Sequence, residues 1–124
     1  MGLMLLTVTG RRTGRRYAIP VGYQRDGDAL IVLVSEAPTK QWWRNYLDPA
    51  PVEVRVGRRQ HSGMGVVVAP SSDEFVERAE GTLCLVPGID RVFGIRYDKR
   101  KGLSSEQVKQ LGQNIAIVRI DLDT

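Results

Sequence analysis

The chain has 124 residues, 42% hydrophobic and 26% charged, which suits one globular domain spanning residues 1–124 with a modest core. It carries one cysteine and one histidine, which excludes an internal disulfide and a Cys/His metal cluster. Its net charge of +4 is uneven: residues 1–62 carry +5 and residues 63–124 carry −1, so an anionic ligand is drawn to the first half.

Leu3 to Thr9 is apolar and rich in Leu, Val and Thr, and it reads as a strand. It runs without a charged leader or a cleavage site, and no apolar stretch approaches the roughly 18 residues that would span a bilayer, so a soluble cytoplasmic protein is expected. Leu6 stands where a myristoylation signal needs Ser or Thr. The turn GRRTGRR, Gly10 to Arg16, follows with four arginines in seven residues. Gly10 and Gly14 permit conformations that expose backbone N–H groups, Thr13 adds a hydroxyl, and Arg11 and Arg12 add forked donors suited to phosphate or carboxylate oxygens. The turn reads equally as a solvated hairpin end whose charges protect a sheet edge.

In the next strand Tyr17, Ile19, Val21 and Tyr23 share one face and the small residues Ala18, Pro20 and Gly22 the other. That small face either admits a flat ligand or makes room for a neighbouring strand, and Pro20 argues for a free or interrupted edge. Asp26-Gly27 marks a hairpin into ALIVLVS, a strand apolar on both faces. Pro38 and Thr39 open a predicted helix, KQWWRNYL, on which Lys40 and Arg44 lie i,i+4 beside Trp42 and Trp43; the pairs Trp42/Tyr46 and Trp43/Leu47 share a spacing of four. Core packing accounts for one tryptophan, and the other is a candidate to line a flat-ligand pocket.

Val52, Val54 and Val56 alternate with polar residues, and Gly57 turns the chain into a return strand; His61 is expected in a solvated turn. Ser71 and Glu74 form a predicted capping box for a helix ending near Gly81, and Cys84, in the run TLCLV, is expected as a buried structural thiol. Residues 84–101 follow neither a clear helix nor a clear strand pattern. Ser104 and Gln107 start a short helix closing at Gly112, and NIAIVRIDL is the last strand. Five or six strands, mostly in hairpins, with two or three short helices describe an α+β fold built on a small antiparallel barrel. No G-x-S-x-G elbow and no G-x-G-x-x-G fingerprint is present.

Taken in order, LLTVTGRRTGRR, YQRDGDALIVLVS, TKQWWRNY and PVEVRVGRR resemble the deazaflavin-dependent nitroreductase family, split β-barrel proteins related to flavin-binding pyridoxamine-phosphate-oxidase-like proteins. The likeness covers about residues 3 to 68 and returns at NIAIVRIDL. It implies an oxidoreductase that binds the coenzyme F420 and passes a hydride from its reduced form to a small electron-poor acceptor such as a quinone, an enone or a nitro compound. In such proteins the basic turn, here Arg11, Arg12, Thr13 and Gly14, holds the coenzyme's phosphate and acidic tail. The ring lies against the positions of Ala18, Ile19, Pro20, Val34 and Ser35, and Trp42 matches a helix tryptophan. The cofactor carries the chemistry, so no acid–base dyad is required.

The chain departs from the family pattern at Tyr17, where a basic residue often stands, at Glu36, where a lysine often follows Ser35, and in a shortened loop before Trp42. Arg15, Arg16 and Lys40 are placed to restore the missing charge. Phe93 and Tyr97 are acceptor-side candidates by rough position. The competing readings are FMN as the cofactor, a non-catalytic barrel binding a small hydrophobic ligand, and, most distantly, nucleic-acid binding, for which a pI near 9.6 speaks but no stacking motif does. A homodimer is compatible with the family; neither the oligomeric state nor the physiological acceptor follows from the residues.

Overall fold

A computed structural model describes residues 2–123. Six strands, β1 (Gly2–Thr9), β2 (Arg16–Asp26), β3 (Ala29–Val34), β4 (Ala50–Val56), β5 (Arg59–Val67) and β6 (Ala116–Leu122), close an antiparallel barrel in the order β1-β2-β3-β6-β5-β4. Two 3-10 turns, Ala37–Thr39 and Trp42–Tyr46, link β3 to β4. Three helices, α1 (Asp73–Leu85), α2 (Ile89–Val92) and α3 (Ser105–Asn114), lie between β5 and β6.

The alternation along the strands divides the apolar residues between two cores. Met4, Leu6, Val8, Leu30, Val32, Val34, Val52, Val54, Val118 and Ile120 fill the barrel. The doubly apolar β3 is explained by its two environments: Leu30, Val32 and Val34 point into the barrel, while Ile31 packs outside it with Ile117 against Phe75, Ala79, Leu83 and Leu111 of the helices. The helices therefore cover the β3/β6 side and leave the outer face of β1 and β2 to solvent, where Leu3 is 72% exposed.

The barrel is closed unevenly. β2 pairs with β1 over the eight residues Arg16 to Tyr23, but with β3 only through Gln24, Arg25 and Asp26. Residues 16–23 of β2 thus have no partner on the side toward β3, and Pro20 sits within this free edge, where a missing N–H leaves the β2–β3 ladder intact.

Several expectations need correction. The segment before β4 is not one helix: Glu36 is left-handed (φ 51°), Lys40 is extended (φ −112°, ψ 146°), and the flanking turns have three residues per turn, so Lys40 and Arg44 share no helix face. Trp42 and Tyr46 still meet edge to face, with ring centroids 6.3 Å apart, but Leu47 is 51% exposed. The α1 N-cap is Ser72, which accepts from the Phe75 N–H at 3.2 Å, because the Glu74 side chain is drawn instead to Arg119 and Arg78. α1 passes through Gly81 and stops only before Pro87. Its buried stripe is Phe75, Ala79, Thr82 and Leu83; Cys84 falls off that stripe and is exposed, not buried. α3 has the expected Ser104/Gln107 capping box and runs past Gly112, whose lack of a side chain admits Pro70. His61 stands on β5 opposite Val54, not in a turn.

Candidate functional site

The basic turn is a closed loop docked on its neighbour. The Gly10 N–H donates to the Arg15 carbonyl and the Gly14 N–H to the Gly10 carbonyl, each at 2.8 Å, with Gly14 left-handed (φ 69°), a conformation that glycine adopts without a steric penalty. The Arg15 N–H donates to Thr13 Oγ1 at 3.2 Å. The Arg11 N–H donates to Asn45 Oδ1 at 3.0 Å, and the Arg11 guanidinium donates to the Arg44 carbonyl at 3.2 Å. Asn45 in turn donates from Nδ2 to the Trp42 carbonyl at 2.8 Å, so one asparagine ties the turn to the Trp-Trp segment.

Together they border an open cavity of about 270 Å³ lined by Gly10, Arg11, Arg12, Thr13, Gln41 and Asn45. The four arginines are not equivalent. Arg11 secures the turn, and Arg16 is paired with Glu53 at 2.6 Å, a carboxylate that also accepts from Gln60 at 3.1 Å. Arg12 and Arg15 are exposed and hold no ion pair or side-chain hydrogen bond among the described residues. Nearby, the Arg44 guanidinium lies 4.8 Å from the centre of the Trp43 ring, a cation–π contact, and its Nε is buried without a partner. Trp43 Nε1–H donates to the Ala37 carbonyl at 2.9 Å.

From the turn, β2 runs along its free edge. Ala18, Pro20 and Gly22 are exposed on its outer face, while Ile19 turns inward onto the barrel core. At roughly 3.3 Å per residue, Arg16 to Gly22 spans about 20 Å. Gly22 is the edge of a second cavity, of about 210 Å³, where β2 and β3 part beneath α1 and α2. Its walls are Ile31, Leu33, Val86, Ile89, Val92 and Phe93, with Tyr23 and the polar residues Gln24, Ser35 and Thr82.

The structure thus gathers Arg11, Arg12 and Thr13 round one cavity and places Ser35 and Phe93 in the other, with Ala18 and Pro20 between them. Gly14 shapes the turn without lining its cavity. Val34 is 3% exposed, so its side chain belongs to the barrel core. Both tryptophans pack against that core and neither lines either of these two cavities, contrary to the expected division of labour; Gln41 and Asn45, from the same segment, line the basic one. Lys40 is half-buried between the 3-10 turns. Tyr97 lies outside both cavities. Its hydroxyl donates to Glu80 Oε2 at 3.3 Å and is 3.7 Å from Cys84 Sγ, and the contact with Cys84, followed by desolvation, pushes the phenol up to about 12. Gln24, Gln41, Asn45 and Thr82 escaped sequence reasoning. The available signals were the i,i+4 spacing of Gln41 and Asn45 across the tryptophans and a threonine on the otherwise apolar stripe of α1.

Among the described residues no group of three metal-binding side chains converges, and no helix is long and apolar enough to cross a membrane. The architecture is shared with solved structures. An FAD- and heme-binding protein of Mycobacterium smegmatis superimposes with a TM-score of 0.64 at 19% identity, over 99% of this chain and 62% of its own. The heme storage protein HutZ of Vibrio cholerae gives 0.61 at 13%, over 98% and 82%. An FAD-binding protein of Mesorhizobium loti gives 0.57 at 11%, over 100% and 83%. At these identities the likeness is one of fold, a split barrel, and the chain spans only about three fifths of the length of the first of them. A comparison with curated protein sequences finds no match. The F420H(2)-dependent quinone reductase family matches over residues 1–82, which takes in β1 to β5, the whole basic cavity and α1 as far as Thr82. On that match the chain belongs to the F420H(2)-dependent quinone reductase family, oxidoreductases that use the deazaflavin coenzyme F420.

Proposed function

We propose that the chain transfers a hydride from reduced F420 to an electron-poor organic acceptor, a quinone, an enone or a nitro compound, with the coenzyme laid along the free edge of β2. The observation that carries this is the basic cavity. Arg11, Arg12 and Thr13 converge with Gln41 and Asn45 on one concave surface, and the Arg12 guanidinium is uncommitted. That donor set suits a phosphate and carboxylates: forked cations, the Thr13 hydroxyl and the Gln41 carboxamide, on a turn whose Gly10, Arg11, Gly14 and Arg15 N–H groups are spent on its own shape and on its dock to Asn45 rather than exposed to a ligand. The exposed Ala18-Pro20-Gly22 strip, poor in side-chain bulk, suits a flat ring, and its length of about 20 Å from Arg16 suits an elongated coenzyme with its charged end at the turn.

When bound, the deazaflavin supplies the hydride. The protein's share is binding and alignment. Arg12 and Thr13 would hold the anionic tail, Arg11 keeps the turn on the Trp-Trp segment through Asn45 and the Arg44 carbonyl, and Ala18, Pro20 and Ser35 would bound the ring. Glu53 neutralises Arg16, so the charge offered to the tail comes chiefly from Arg11, Arg12 and Arg15.

The test is a titration of purified protein with F420, followed by tryptophan and deazaflavin fluorescence, with FMN titrated in parallel. Saturable quenching by F420 at micromolar concentration is expected. No response to F420 would overturn the proposal, and tighter binding of FMN would move it to that cofactor.

A further inference from the structure

The seam between β2–β3 and α1–α2 contains a pair of polar side chains for which the fold alone gives no reason. Among the described residues the other fully buried side chains are hydrophobic, yet Thr82 on the stripe of α1 is only 4% exposed. Its Oγ1 accepts from Gln24 Nε2 at 2.6 Å, across from β2, and donates to the Arg78 carbonyl at 3.4 Å. Two apolar residues would pack this seam without hydrogen-bonding requirements. Gln24 and Thr82 both line the 210 Å³ cavity, whose remaining wall is mostly aliphatic and aromatic.

A carboxamide nitrogen carries two N–H groups and the oxygen two lone pairs. Thr82 takes one N–H, which orients the amide, and the second N–H and Oε1 have no partner among the described residues. The cavity therefore offers a mostly apolar slot lined by a carboxamide that Thr82 fixes and whose second N–H is free to donate. Quinones, enones and nitro compounds present a flat apolar body and an oxygen that only accepts. At about 210 Å³ the slot is smaller than the roughly 300–1,000 Å³ of pockets for drug-sized ligands, so it takes the reacting head of such a molecule. Gly22 forms its edge, the next outward position after Pro20 on the strip proposed for the coenzyme ring. Val86, Ile89, Val92 and Phe93 lie beyond residue 82, outside the family match.

We infer that this cavity seats the electron acceptor and that Gln24, with Thr82 as its positioning residue, donates the hydrogen bond that holds the acceptor's oxygen. The inference rests on the F420 reading for the identity of the hydride donor, but not for the existence of the binding site. In the reaction with a quinone, reduced F420 loses a hydride to the quinone and a proton to solvent, and the quinone oxygen takes up a proton from solvent, giving oxidised F420 and hydroquinone. Gln24 does not ionise; its N–H stabilises the charge that builds on the oxygen before that proton arrives.

The experiment uses menadione as the probe, first without coenzyme. In 15N-resolved NMR spectra menadione should shift the amides of Gly22, Val86 and Val92 in the wild-type protein. Gln24→Leu should weaken its binding about 3- to 10-fold and, with F420 present, lower kcat about 100-fold while F420 affinity stays within twofold. Thr82→Val should show the same pattern more weakly and Thr82→Ser should restore it, which a purely structural role for the hydroxyl would not couple to acceptor binding. Should Gln24→Leu fail to fold, Val92→Trp, placed at a rim position that is 65% exposed, fills the mouth and should abolish the menadione shifts. Shifts confined to other residues, or wild-type menadione binding and kcat in Gln24→Leu, would overturn the inference. If F420 fails to bind while menadione still shifts these amides and Gln24→Leu weakens it, the reductase reading falls and the cavity assignment is supported.

Discussion

Replacing Arg12 by alanine should separate a cofactor cradle from a merely soluble turn, provided Arg16→Ala is measured beside it. Both side chains are exposed cations on the same turn, so simple charge loss is equal. They differ in commitment: Arg12 lines the basic cavity without a partner, whereas Arg16 is held by Glu53 at 2.6 Å. A charge-assisted hydrogen bond to an anion contributes roughly 1.5–3 kcal/mol, and solvent exposure of Arg12 argues for the lower end, about a 10-fold rise in the F420 dissociation constant. Arg16→Ala removes an exposed pair with side chains 59% and 39% exposed, for which at most about 1 kcal/mol of stability is at stake, and F420 binding should change less than about twofold. Fluorescence titration at low and moderate salt provides the constants, the Arg12 effect shrinking as salt rises. Thermal unfolding of both variants controls for folding. Equal losses in the two variants would reduce the turn to a diffuse positive field, and no loss in Arg12→Ala would remove it from the site.

Glycine on β5 offers a stability test. A Cβ at Gly63 would meet the Asp121 carbonyl oxygen across the ladder at well under contact distance, and one at Gly65 would stand 2.8 Å from the Tyr46 ring. Gly65→Ala should cost about 1–3 kcal/mol by overpacking, and Gly63→Ala more, since a paired backbone cannot step aside; urea midpoints at wild-type values would contradict both. Tyr46 has its phenol pushed up to about 12, first by burial and then by Tyr17. Its neutral form is favoured on folding, so this contribution is complete below pH 10 and is lost as pH rises through about 12. Tyr46→Phe should flatten the fall in melting temperature over that interval, and an unchanged slope would show that other groups set it. Cys84 should react with a thiol reagent in the folded protein, without denaturant. Protection until unfolding would mean that α1 is rotated from the orientation described.

The match between expectation and structure follows the range of the interactions involved. The hairpin at Asp26-Gly27, the α3 capping box and the alternating strands were legible because they depend on residues a few positions apart. The N-cap of α1 was misplaced by one residue because two serines are adjacent, and the deciding partner of Glu74 is Arg119, 45 positions away. The Trp-Trp segment was misread as a helix because its spacing is helical while Pro38 and the left-handed Glu36 break the backbone path. Likewise Cys84 lay in an apolar run, but exposure depends on the direction a helix presents to the barrel, which is set by packing.

By itself the sequence determined a barrel of antiparallel strands, a strongly basic turn after the first of them, and a likeness to deazaflavin-dependent proteins, since strand alternation, turn chemistry and charge are written in local order. Tertiary structure alone decided which arginines of the turn remain unpaired, which of them lines the basic cavity, and where an apolar cavity opens. Arg16 meets Glu53 across 37 residues, Arg11 meets Asn45 across 34, and Gln24 meets Thr82 across 58. The uneven closure that leaves residues 16–23 of β2 without a partner on one side is likewise a property of how six strands share one circumference, and no short window of the chain contains it.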